Sequence, residues 1–123
     1  PPAAPLFFTT FFPMPIATES AANAQIVSLQ GQINSTNAAI TEAEILALVT
    51  AGHKNLLLDF SGLDYISSAG LRLVLVVAKR LKQDNGQLLL CGMQSHIREV
   101  FDISGFLAIL NVADTRSEAL ARF

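Results

Sequence analysis

Residues 55–72 read N-L-L-L-D-F-S-G-L-D-Y-I-S-S-A-G-L-R. Asn55 to Phe60 is a short, uninterrupted apolar run, the pattern of a central parallel strand covered on both faces. Beyond it, Leu71 to Lys82 carries Leu71, Val74, Leu75, Ala78 and Leu81 at helical spacing. Lys79, Arg80 and Lys82 fall in the last turn, where cations complement the helix dipole. A buried strand feeding an apolar helix is half of a β–α–β unit.

The same alternation extends in both directions. Gln25 to Gln30 predicts a strand closed by Gly31. Ser35, Thr36 and Asn37 offer helix caps, and the helix runs to about Ala51 with Ile40, Ile45, Leu48 and Val49 on its apolar side. Glu44 interrupts that side, and Gly52 supplies a positive-φ stop. Asn85-Gly86 makes a turn into a second buried strand, Gln87 to Cys91. Ser95 is expected to cap a helix carrying Ile97, Val100 and Phe101 and ending near Gly105. Ala108 to Val112 predicts the last short strand, and Thr115 and Glu118 have capping-box spacing ahead of a C-terminal helix. A further strand is expected around Ile16 to Ser20. The order predicts a single α/β domain, with a mixed, mainly parallel sheet of four to five strands and about four helices.

Composition narrows the function. The chain has 123 residues, 51% hydrophobic and 15% charged, with a net charge of −2. That length fits one domain burying roughly two-thirds of its unfolded surface, and the composition excludes a wholly disordered chain. With no basic excess, nucleic acid is not an expected partner. The most apolar segment, Leu71 to Ala78, is broken by Arg72 and falls far short of the roughly 20 apolar residues of a membrane span. The lone Cys91 cannot form an internal disulfide, so a reducing cytoplasmic setting is expected, with Cys91 a small core residue. Residues 1–13, PPAAPLFFTTFFP, contain no Lys or Arg and precede Met14. They read as a non-native or disordered apolar extension ahead of a domain spanning 14–123. The competing reading is a hydrophobic arm (Leu6, Phe7, Phe8, Phe11, Phe12) packed on a neighbour.

No phosphate-cradling glycine loop and no G-x-S-x-G elbow occurs. His53 and His96 are separated by two strands and a helix, so no metal site is expected, no cofactor is implied, and the chain does not read as an enzyme. The informative segment is Asp59 to Arg72, at the carboxyl end of a strand, where open α/β sheets tend to place function. Ser67 and Ser68 fall at or next to a helix N-cap, and the simplest reading is that one of them caps the helix. Three features extend that reading. The segment is expected as an exposed loop that a kinase can reach. Ala69 and Gly70 are small and let another protein approach the backbone closely. Leu73, Val76 and Val77 lie off the core stripe, so the helix needs cover either from a partner or from the sheet and a neighbouring helix. A phosphate on Ser68 would add roughly −1.5 to −2 charges at the positive helix end, which the domain itself tolerates. Close in sequence to Asp64, the same charge would repel an acidic partner.

This segment resembles the STAS family, the anti-sigma factor antagonists of bacteria. The resemblance rests on Asp59-Phe60-Ser61-Gly62 followed by Tyr65-Ile66-Ser67-Ser68-Ala69-Gly70-Leu71. Gly31-Gln32-Ile33-Asn34-Ser35-Thr36-Asn37 and Phe101-Asp102-Ile103-Ser104-Gly105-Phe106 support it, and it extends from about Ile26 to the C-terminus. The resemblance implies a STAS-like domain that binds an anti-sigma factor serine kinase of histidine-kinase-like ATPase fold. Phosphorylation by that kinase releases it, and a PP2C-type phosphatase resets it. The family's phosphoacceptor maps onto Ser68, with Ser67 as the alternative, because Ser67 stands where many members have Asp. Asp59, Ser61, Asp64, Tyr65, Ser67, Ala69, Gly70, Arg72 and Leu73 are expected to shape the docking surface of a monomer or weak dimer. Two other readings are a scaffold or transport-associated domain that docks through the Leu71 to Lys82 helix without phosphorylation, and a small-ligand or nucleotide-binding domain at the strand-end crevice.

Overall fold

Residues 16–123 are described by a computed structural model; the apolar extension and Met14 lie outside the described residues. Five strands form one sheet in the order β1-β2-β3-β4-β5: β1 (Ile16–Ser20), β2 (Gln25–Ile33), β3 (Asn55–Ile66), β4 (Gln87–Cys91) and β5 (Asn111–Ala113). β1 is antiparallel to β2 and the other pairs are parallel. Helices α1 (Ala38–Thr50), α2 (Ser68–Gln83) and α3 (Ser95–Ile103) connect consecutive parallel strands, and α4 (Arg116–Leu120) follows β5.

The strand LLL run is buried on both sides, as its unbroken apolarity predicts. Leu56, Leu58 and Phe60 face a core shared with Ile45 of α1, Val74 and Val77 of α2, and Phe101 of α3. Phe60 and Phe101 meet edge-on with ring centroids 5.6 Å apart. Leu57 faces the opposite side, with Ile26, Leu89 and Cys91 under Ala119 of the short α4.

Several boundaries differ from the sequence reading. β2 does not stop at Gly31 but passes through it, at φ +71°, and continues to Ile33. β3 runs six residues beyond Phe60, so the expected loop after it is strand. Ser28 and Gln30 pair with Asp59 and Gly62, then Gly31 and Gln32 pair with Leu63 and Tyr65. Each step inserts one extra residue into β3. The strand therefore buries Phe60, Leu63 and Ile66, three apart instead of two.

The helices shift similarly. α2 begins at Ser68 rather than Leu71, and its buried face is Gly70, Leu73, Val74, Val77 and Leu81. Leu73 and Val77, expected off the stripe, are 1% and 0% exposed, while Leu71, Leu75 and Ala78 are only half-buried. The sheet and α1 thus provide the cover that the helix needs. Ile40 is exposed and Thr41 is buried in its stead, its hydroxyl donating to the Asn37 carbonyl at 2.9 Å. Gln94, not Ser95, occupies the N-cap of α3. The expected Ala108 to Val112 strand is a 3₁₀ turn at Phe106–Ala108 followed by β5. Thr115 caps α4 as its spacing predicts, its Oγ1 accepting from the Glu118 amide at 3.1 Å.

Candidate partner-docking site

The carboxyl ends of β2 and β3 converge on the start of α2. A single residue, Ser67, separates β3 from α2, and its amide donates to the Ile33 carbonyl at 2.8 Å. That bond ties the turn to the end of β2. Ser67 has extended backbone angles, and its Oγ accepts from the Gly70 amide at 3.2 Å. Ser67 is therefore the N-cap, a role that composition alone left open between it and Ser68.

Ser68 is the first helical residue and is exposed. Among the described residues no hydrogen bond engages its hydroxyl. The first turn of α2 holds no acidic side chain, so its unpaired amides and the positive helix end are not offset locally. Arg72, four residues on, is exposed on the same side of the helix.

Gly70 determines how close this turn comes to the sheet. A Cβ there would lie 2.6 Å from Ile66 Cγ1 and 2.9 Å from Ile33 Cγ2. Any side chain would push the start of α2 off the ends of β2 and β3. Gly70 thus serves packing between the start of α2 and the sheet.

The bulges of β3 place Ser61, Gly62, Asp64 and Tyr65 at the surface beside this turn, with Tyr65 50% exposed. The surface part of the expected docking set is thus Ser61, Asp64, Tyr65 and Arg72, beside the exposed acceptor candidate Ser68, with Ser67 and Ala69 half-buried. Leu73 is the clear correction. It lies in the core because α2 is rotated from the expected stripe, and it offers nothing to a partner. Asp59 is also buried and supports the site from below. Its Oδ1 accepts from the Ser61 amide at 2.9 Å, and its Oδ2 accepts from Arg116 at 2.9 and 3.0 Å. Burial alone would raise its pKa. The hydrogen bonds from Ser61 and Arg116, with the guanidinium charge, outweigh that and hold the carboxyl below its ordinary range.

Two further side chains reach this segment from the start of α3. Gln94 Nε2 donates to the Ser61 and Leu63 carbonyls at 3.2 and 3.0 Å. His96 Nε2 meets the Asp64 carbonyl at 2.5 Å. His96 reads from sequence only as an exposed helix-start histidine, and nothing in the spacing marks Gln94. Arg116 was equally hidden, although it directly follows the recognisable Thr115 cap. Among the described residues no helix is long and apolar enough to cross a membrane.

Comparison with known proteins agrees with this architecture. A family model described as the STAS domain matches residues 15–119. The chain is 55% identical over 98 residues to BtrV of Bordetella bronchiseptica, a protein named as an anti-sigma factor antagonist; the match covers 80% of this chain and 84% of BtrV. The fold is similar to an anti-sigma factor antagonist of Thermotoga maritima, with a TM-score of 0.83 at 18% identity over 87% of this chain and 92% of that one. It is also similar to the Bacillus cell fate determinant SpoIIAA in its phosphorylated form, with a TM-score of 0.68 at 24% identity over 87% and 97% of the two chains. The model match and the BtrV similarity each span most of the sequence, and the chain belongs to the STAS domain family.

Proposed function

We propose that this protein is an anti-sigma factor antagonist working by partner switching. In its unphosphorylated form it binds an anti-sigma factor that is itself a serine kinase of histidine-kinase-like ATPase fold. Phosphorylation of Ser68 releases that partner, and a PP2C-type phosphatase restores binding. The chain acts in the cytoplasm as a non-catalytic monomer or weak dimer, without nucleic acid or membrane.

The observation that carries this reading is the division of labour between two adjacent serines. Ser67 Oγ is committed to the Gly70 amide, whereas the Ser68 side chain is exposed at the first position of α2. A phosphate on Ser68 would meet the open amide end of the helix and the Arg72 guanidinium one turn on, so the domain accommodates the charge. A partner seated over Asp64, Tyr65 and Ser68 would instead have to bury it. Phosphorylation of Ser67 would first have to release its Oγ from the Gly70 amide, which favours Ser68 as acceptor. The name of BtrV supports the antagonist role, and SpoIIAA is a protein of similar fold whose structure is of a phosphorylated form.

The test is phosphopeptide mass spectrometry on the protein from its own cells, with identification of what co-purifies with wild type, Ser68→Ala and Ser68→Asp. The expected result is phosphate on Ser68, and a kinase retained by Ser68→Ala and lost by Ser68→Asp. Absence of the modification under varied growth conditions, with identical partners for all three forms, rejects the switch and leaves a constitutive scaffold.

A further inference from the structure

β4 pairs with β3 only as far as Cys91 opposite Asp59, whereas β3 runs on to Ile66. β2 continues to line the other side of β3. Residues 61–64 therefore present a strand edge from which the neighbouring strand has departed. The departure occurs at Gly92, at φ +72°, where a Cβ would sit 2.9 Å from Asp59 Oδ1 and 3.2 Å from Ser61 Cβ. Unpaired carbonyls on such an edge normally invite another strand or need local partners.

Side chains from the start of α3 take the place of the missing strand. The Gln94 carboxamide reaches the Ser61 and Leu63 carbonyls, and Asp64 Oδ1 lies at 3.5 Å from the same nitrogen. Three oxygens around one end of an amide require that end to be the NH₂ group. Gln94 also makes no side-chain bond to its own helix, although it stands at the N-cap. His96 closes the third carbonyl, that of Asp64. A carbonyl only accepts, so His96 carries a proton on Nε2.

We propose that Gln94 and His96 are positioning residues. They close the open edge of β3 and hold the bulged segment Ser61–Asp64 in the shape that a docking partner meets. As a statement about docking this rests on the partner-switching reading; as a statement about geometry it rests on the hydrogen bonds alone.

The full chain tests it by residue-resolved amide exchange. Gln94→Glu keeps the side-chain size but turns a donor into an acceptor facing three oxygens, and Gln94→Lys restores a donor. The expected result is roughly tenfold faster exchange at residues 62–67 in Gln94→Glu. Amides of Val27 and Leu89 keep their rates, and Gln94→Lys recovers toward wild type. Equal rates in Gln94→Glu and wild type, or acceleration shared by β2 and β4, overturn the proposal. A second measurement needs no variant: imidazole nitrogen shifts of wild type should show a proton on His96 Nε2, and an Nε2 without a proton rejects the Asp64 contact. For docking, retention of the kinase should fall in Gln94→Glu; unchanged retention removes the docking part. If wild type retains no kinase, the partner-switching reading fails while the exchange result still decides the geometry.

Discussion

Arg116 of α4 grips Asp59 of β3 at 2.9 Å across the second face of the sheet, joining residues 57 positions apart. The carboxylate is 6% exposed, and the same guanidinium reaches Glu19 of β1 and Ser28 of β2. Removing the cation leaves a buried charge that, among the described residues, keeps only the Ser61 hydrogen bond. Arg116→Ala should cost about 2 kcal/mol at neutral pH, the loss for a broken buried pair reduced because Arg116 is partly solvated. Urea unfolding measures it.

The same pair sets an acid dependence. The folded pKa of Asp59 lies below its ordinary value of 3.8, because the hydrogen bonds and the Arg116 charge overcome the opposing effect of burial. The contribution is complete above that ordinary value and is lost as pH falls through the lower folded value. Urea midpoints of wild type should therefore drop in strongly acidic buffer, and Arg116→Ala should drop less relative to its own neutral value. Parallel curves for the two proteins would show that the pair is not the source.

The two serines should separate cleanly in stability. Ser67→Ala removes the bond to the Gly70 amide and should cost about 1 kcal/mol. Ser68→Ala should stay within about 0.5 kcal/mol of wild type. Thermal melts of the two variants check the assignment of cap and free hydroxyl.

Gly70→Ala opposes helix propensity to packing. Alanine is the better helix former by about 1 kcal/mol, yet its Cβ would press on Ile66 and Ile33. Overpacking should win, for a net loss of about 1 to 2 kcal/mol. A more stable variant would mean that both isoleucines have room to turn away.

Cys91 should resist chemistry until the fold opens. Burial, with the Asp59 charge nearby, pushes its thiol up to about 12, and its side chain lies within the core beside Leu57 and Leu89. Native protein should show no alkylation by iodoacetamide at pH 8 over minutes, while protein in concentrated urea reacts fully. Intact-mass spectrometry distinguishes the two.

The strand-helix alternation was legible because continuous apolar runs and capping residues are local signals. The Gln87 to Cys91 strand and the Thr115 cap are both visible in the sequence as they stand in the fold. The second half of β3 is not, because two inserted residues replace a period of two with Phe60, Leu63 and Ile66 at intervals of three. That spacing next to Gly62 and Ser67 reads as a loop. The buried face of α2 is hidden by a related cause: with apolar residues on several sides, sequence cannot say which side meets α1. The serine pair and the Asp59 motif located the site, but Gln94, His96 and Arg116 reach it from distant positions through contacts that only the tertiary fold creates.

The reach of Arg116 also orders events during synthesis. Glu19, Ser28 and Asp59 emerge from the ribosome long before residue 116. A nascent chain that has released β1 to β3 therefore carries an unneutralised carboxylate in the middle of its sheet. The first strand cannot be fastened to the rest through Glu19 until α4 has appeared. A pause upstream of residue 116 would prolong the stage at which Asp59 lacks its counter-ion.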